Sequence, residues 1–112
     1  MIVTASRSGA SIIKFQTYKA EKLVTKKAER FWNWEGGEIK NGSQYDSYKL
    51  LDKFNQAEYE KLKKICDDNN IEFMSTPFDT DSVHMLKKIG VNAYKIASCD
   101  LTNFQLLKEV SS

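Results

Sequence analysis

Six polar side chains of a 112-residue chain stand where a strand pattern otherwise asks for apolar ones. Lys14 and Gln16 lie in "SIIKFQTY", Ser75 and Thr76 in "IEFMSTPFD", and Lys95 and Ser98 in "AYKIASCD". Parallel strands are apolar along their length, so polar groups near their carboxyl ends are the informative departure. Barrels and open α/β sheets bind ligands at those ends. Residues two apart share a face, which places Lys14 and Gln16 together. Two lysines at one pocket repel unless an anion separates them. At ~4 Å and an effective dielectric near ~20, each lysine–anion pair is worth about 4 kcal/mol before desolvation. The chemistry expected of these residues is capture of a phosphate or carboxylate, with the Thr76 and Ser98 hydroxyls completing its hydrogen bonds and no metal drawn from this set. Lys95, inside an apolar run, is expected to be buried, where an unpaired charge costs on the order of several kcal/mol.

Plainer readings compete residue by residue. A strand lysine can extend its ammonium to solvent at an exposed end. A Ser-Thr pair before proline is common turn chemistry. The recurrence of polar groups on three strand ends favours a site. His84, the only histidine, has no second ligand to pair with and reads as a surface residue. Asp67-Asp68 and Asp79 with Asp81 read as helix-end charges, and Phe73 and Met74 as core.

The elements that position these residues follow from turn and periodicity signals. "MIVTASRS" looks like the end of a helix closed by Gly9, an abrupt start that suggests a chain beginning part-way through something longer. A short strand is expected over 10–17. Residues 18–54 read as one long polar and aromatic connection, with Gly36-Gly37 and Asn41-Gly42 as turns and Trp32 and Trp34 packing it. The tryptophans either close over a substrate or only seal a core edge. Asn55 with Glu58 forms a capping box for a helix whose inward residues are Tyr59, Leu62, Ile65 and Cys66. A second strand stops at Pro77. Asp79 or Thr80 starts another helix, with Val83, Leu86 and Ile89 inward and Gly90 beyond its end. "VNAYKIAS" is a third strand, and "TNFQLLKEV" opens a helix with Phe104, Leu107 and Val110 at helical spacing. Its start near Asn103 could lend backbone N–H groups to the anion. Strands alternating with helices predict an α/β fold with a parallel sheet.

Composition narrows the partners. Lys and Arg total 17 against 15 Asp and Glu, a net charge of +2, far from the basic excess of a nucleic-acid binder. Neither nucleic acid nor membrane is an expected partner, since no run approaches ~18 apolar residues. No signal peptide is apparent and Cys66 and Cys99 lack metal or disulfide spacing, so a cytoplasmic protein with free thiols is expected.

At these residues a family resemblance appears. "IIKFQTYKAEKLVT", "IEFMSTPFD" and "YKIASCDLTN" resemble three consecutive strand motifs of the N-acetylneuraminate (sialic acid) synthase family, which includes pseudaminic and legionaminic acid synthases and spore-coat polysaccharide synthases. "SQYDSYKLLDKF" is similar as well, and the motifs do not separate sugar classes. The resemblance implies a (β/α)8 TIM barrel that condenses phosphoenolpyruvate with an open-chain N-acetylated amino sugar to a nine-carbon 2-keto acid. It implies phosphoenolpyruvate binding by Lys14, Thr76, Lys95 and Ser98, with Gln16 beside the first lysine. Cys99 stands where glycine is usual, and Asp100 keeps the carboxylate expected to be catalytic. The resemblance also implies a divalent metal, Mn or Mg, that polarises the aldehyde, with ligands outside this chain.

A (β/α)8 barrel takes ~200 residues or more, so residues 1–112 are expected to be a partial synthase domain holding about strands two to four. The first strand and the later histidines would lie outside it. Such a piece leaves unpaired edges and an uncovered sheet face, so self-association or docking with a complementing barrel half is expected. Three readings follow: a segment active only in a complete chain, a split-barrel subunit, or a non-catalytic anion-binding fragment. The 112 residues alone are expected to show no synthase turnover.

Overall fold

The computed structural model describes residues 1–32 and 42–112. Trp34, Gly36, Gly37 and Asn41, all expected to shape the long connection, lie outside the described residues. The chain forms two compact units, one of Met1–Thr17 with Phe54–Ser112 and one of Tyr18–Lys53.

The first unit carries a parallel sheet of β1 (Ile12–Thr17), β2 (Glu72–Pro77) and β3 (Ala93–Tyr94), in that spatial order. Its helices are α1 (Ile2–Arg7), α4 (Gln56–Asp68), α5 (Thr80–Lys88) and α6 (Phe104–Ser111), with a 3-10 turn at Ser98–Asp100. Gly9 and Gly90, at φ +86 and +79, close α1 and α5 in the left-handed region as expected. One sheet face meets the helices. Ile2, Tyr59, Cys66, Ile71, Phe73, Leu86 and Val91 form the buried cluster there, with Ile13 and Phe15 packed against it. The Phe15 and Phe73 rings stack at 5.0 Å.

Caps set the helix starts. Asn55 accepts from Glu58 N at 3.2 Å while Glu58 Oε2 accepts from Asn55 N at 2.7 Å, the capping box expected of α4. Asp79 rather than Thr80 caps α5, accepting from Ser82 N at 2.8 Å. Lys63–Asp67 and Lys64–Asp68 pairs one turn apart occupy the acidic end of α4. His84 is an exposed residue whose Nε2 lies 2.7 Å from Glu109 Oε1.

Several expectations are corrected. The third strand is shorter than expected, because after Tyr94 only Lys95 N, donating to Ser75 O at 3.0 Å, continues the ladder. Ser98 therefore sits on a 3-10 turn and not on a strand. In α6 the inward residue is Leu106, 1% exposed, whereas Phe104 is 80% exposed. The periodicity there was one of several equally spaced apolar sets, and the cap at Asn103 selects the rotation. Ile65 of α4 is exposed and Met74 only half-buried, since Met74 points to the face without helices.

The second unit corrects the reading of 18–54 as an unbroken loop. It contains α2 (Ala20–Leu23) and α3 (Gln44–Leu51), and Glu29 bridges antiparallel to Ser43. Ser43 and Asp46 make a reciprocal capping box, which the short Asp in place of Glu or Gln concealed. Asp52, its side chain 1% exposed, holds the unit together: Lys19 Nζ donates to Oδ1 at 2.8 Å and Ala20 N to Oδ2 at 3.1 Å. Trp32 packs edge-on to Phe31 and to Tyr48, which in turn meets Tyr18.

Candidate functional site

All six expected site residues belong to the first unit. In the β1–β2 ladder Lys14 stands opposite Met74 and Gln16 opposite Thr76, and in β2–β3 Met74 stands opposite Ala93 and Ser75 opposite Tyr94. One further step of that register puts Lys95 opposite Thr76. Partners in a parallel ladder point to the same side, so Gln16, Thr76 and Lys95 form one row on the face away from the helices, with Lys14 one row behind. Adjacent strands lie ~4.8 Å apart and residues rise ~3.3 Å, which separates the Cα atoms of Lys14 and Lys95 by about 12 Å. Two flexible four-carbon stems can bring their ammonium groups to one anion across that gap.

Lys95 is exposed, as are Lys14 and Gln16, which overturns the expectation of a buried ammonium. Tyr94, just before it, packs against the core, while Lys95 itself alternates to the open side. The buried polar group of the row is Thr76, 1% exposed on the central strand. Its Oγ1 has no hydrogen-bond partner, a condition shared, among the buried side-chain polar atoms of the described residues, only with Tyr94 Oη. Tyr94 faces the helices, where burial pushes its phenol above the ordinary value. An orphaned buried hydroxyl costs about 1–3 kcal/mol. That of Thr76 is the one on the lysine-bearing face.

Behind this row the strand ends are tied by groups the sequence did not signal. Thr17 Oγ1 and Ser75 Oγ lie 2.7 Å apart on the helix side, and Tyr59 Oη donates to Gln16 O at 2.9 Å. Ser75 is thus a structural hydroxyl, unlike its neighbour Thr76. Beyond β3, Ser98 is exposed on the 3-10 turn. Asp100 Oδ1 accepts from Asn103 Nδ2 at 3.0 Å, and Cys99 Sγ lies 3.8 Å from Oδ2. Positive φ angles occur among the described residues at Gly9, Asn70 and Gly90, so Cys99 sits on backbone that does not require a glycine. The start of α6 is capped by Asn103, which accepts from Leu106 N at 3.2 Å. Among the described residues no three His, Cys, Asp or Glu side chains come together. These residues therefore do not fit as the ligand set of the implied divalent metal.

The family model described as NeuB family matches residues 1–112, the full length of the chain. The chain belongs to the NeuB family. An N,N'-diacetyllegionaminic acid synthase of Legionella pneumophila is 34% identical over 112 residues, covering 100% of this chain and 31% of that protein. Another, from Campylobacter jejuni, is 34% identical over 113 residues, covering 99% and 33%. The solved N-acetylneuraminic acid (sialic acid) synthetase of Leptospira borgpetersenii, in complex with citrate, aligns with a TM-score of 0.75 at 35% identity over 99% of this chain and 34% of its own. The chain thus spans about a third of the length of these NeuB relatives. The two legionaminic acid synthases and the solved sialic acid synthetase match at 34–35% identity. Among the described residues no helix is long and apolar enough to cross a membrane.

Proposed function

We propose that this chain supplies the phosphoenolpyruvate-binding face of a NeuB-type synthase of the cytoplasm, one that joins phosphoenolpyruvate to an open-chain N-acetylated amino sugar. The observation that carries the reading is the row of Gln16, Thr76 and Lys95 with Lys14 behind it, on a face where the Thr76 hydroxyl is buried and unpartnered. Lys14 and Lys95 neutralise the phosphate and carboxylate, Thr76 Oγ1 donates to one of their oxygens, and Gln16 and Ser98 complete the polar ring. The solved relative is in complex with citrate, a small polycarboxylate and so an anion of a related class.

In the reaction, the methylene carbon of phosphoenolpyruvate attacks the aldehyde carbon of the sugar, and the aldehyde oxygen takes up a proton. Water adds at the former enol carbon, and phosphate leaves with cleavage of its C–O bond, giving a 2-keto acid and inorganic phosphate. Once drawn to the anion, the two ammonium groups stabilise the charge through these steps electrostatically. Asp100 is assigned to the site as its carboxylate, held beside Ser98 by Asn103. Because the chain spans a third of its relatives, turnover belongs to the assembled barrel, which residues 1–112 complete either within a longer chain or by pairing with another polypeptide at the outer edges of β1 and β3.

The test is calorimetric titration of the 112-residue chain with phosphoenolpyruvate. Lys14→Ala and Lys95→Ala are each expected to weaken binding by roughly tenfold or more, the loss of one charge-assisted contact. Binding unchanged by either substitution overturns the assignment.

A further inference from the structure

We infer that Tyr59 is a positioning residue for the anion face, fixing the carboxyl end of β1 and through it the Gln16 side chain. This inference rests on the phosphoenolpyruvate reading of that face. The carbonyls of Ser11 and Thr17 accept from Glu72 N at the start of β2, at 2.9 Å, and from Phe78 N just past its end, at 3.2 Å. In a parallel ladder alternate residues turn their polar backbone groups to opposite sides. The Gln16 carbonyl therefore faces the outer edge of β1, where no described strand pairs with it. Tyr59 Oη meets it there at 2.9 Å from 43 positions along the chain.

Tyr59 is built to hold that carbonyl still. Its ring is 6% exposed, belongs to the core cluster and stands edge-on to Phe54 at 5.8 Å. It lies in the first turn of α4, whose start is locked by the Asn55–Glu58 capping box. The end of β1 is thus clamped from both sides, by β2 through Thr17 and by α4 through Tyr59. At Thr17 the chain leaves the sheet for residues 18–53, and at Phe54 it returns. Where a strand ends and the chain departs, the bonds made by its last carbonyls set how firmly that end is held. Gln16 is the residue of the Thr76–Lys95 row that this bond fixes. Without it the amide keeps its chemistry and loses its place, and small misplacements of a binding group are costly.

Tyr59→Phe keeps the ring and removes only the donor. On calorimetric titration of the 112-residue chain, it is expected to weaken phosphoenolpyruvate binding roughly tenfold. In a Gln16→Ala background the same substitution is expected to change affinity by less than about twofold, because nothing remains to be positioned. In the ligand-free chain, 15N relaxation is expected to show a lower order parameter at the Gln16 amide of Tyr59→Phe and an unchanged one at Thr76. Equal weakening in both backgrounds overturns the inference, since a general loss of structure acts regardless of Gln16. An unaltered Gln16 order parameter overturns it as well. A parent chain that does not bind phosphoenolpyruvate, with Gln16 nonetheless loosened in Tyr59→Phe, instead overturns the anion site and leaves Tyr59 as an anchor of β1 alone.

Discussion

Ser75 and Thr76 are adjacent hydroxyls on the central strand, both fully buried, and removing each should move stability in opposite directions. Ser75 Oγ is paired with Thr17 Oγ1 at 2.7 Å, whereas Thr76 Oγ1 has no partner. Ser75→Ala deletes half of a buried pair and strands the Thr17 hydroxyl, at a cost of about 1–3 kcal/mol. Thr76→Val replaces an orphaned hydroxyl by a methyl of nearly the same shape in a residue equally suited to a strand, relieving a penalty of about the same size. At roughly 4–8 °C per kcal/mol for a domain of this order, the two variants should melt on opposite sides of the parent, each by at least several degrees. Binding should not follow stability. On the proposed site Thr76→Val removes a hydrogen bond to phosphoenolpyruvate, worth about 1.5–3 kcal/mol for a charged partner, so affinity should fall by roughly ten- to hundredfold in the more stable protein. Thermal melts followed by circular dichroism give the first quantity and calorimetry the second. A Thr76→Val chain that melts below the parent would refute the reasoning, because the hydroxyl would then have a structural partner and no need of a ligand. Unchanged affinity would remove Thr76 from the site.

Two further outcomes follow from groups away from the row. Burial alone would raise the Asp52 carboxyl, but the bonds from Lys19 and Ala20 N, with the charges of Lys19 and Lys49, outweigh it and hold the group below its ordinary value. A group lowered on folding contributes stability above its unfolded pKa of about 3.9 and loses it as pH falls through the folded value. Denaturant melts at pH 7 and near pH ~3 should show that loss, and Asp52→Asn should cost about 1.5–3 kcal/mol at pH 7 and flatten the difference. A chain as stable in acid as at neutrality would count against Asp52 as the hub of its unit. Cys66 is buried, with its thiol pushed up by that burial and by Asp67, while Cys99 is exposed on the 3-10 turn. An aromatic disulfide reagent should therefore titrate one thiol fast and the second only on unfolding, and two fast thiols would show the α4 core to be open.

The parallel order, the three strands and the lysines at their ends were legible because the signals were local. Gln16 two residues after Lys14 fixes a shared face, and Asn55 with Glu58 fixes where α4 starts. What escaped depended on the third dimension. Lys95 sits among apolar neighbours in "AYKIAS", and a one-dimensional run does not say that Tyr94 and Lys95 turn to opposite faces of the sheet, so a residue expected inside is outside. In α6, apolar residues at 104, 106, 107 and 110 offer more than one inward face, and only the cap and the packing against α5 choose Leu106. In 43–51 the box used aspartate and the apolar period was weak, so a capped helix passed for loop. The bonds behind the site, Tyr59 to Gln16 and Thr17 to Ser75, join residues 43 and 58 positions apart and leave no mark in either neighbourhood.

These hidden ties divide the labour of the site between two kinds of hydroxyl. Tyr59, Thr17 and Ser75 spend their hydrogen bonds on the protein and hold the strand ends in place. Thr76, with the same chemistry as Thr17 and deeper in the sheet, holds its own in reserve. A fold that satisfies three buried hydroxyls within reach of β1 and leaves the fourth without a partner, on the face that carries Lys14 and Lys95, keeps a penalty of about 1–3 kcal/mol that an anion would remove. Such a penalty recurs at binding sites because a ligand relieves it. The exposed lysines add the complementary half, for ammonium groups left in water bear no desolvation cost until an anion arrives to share it.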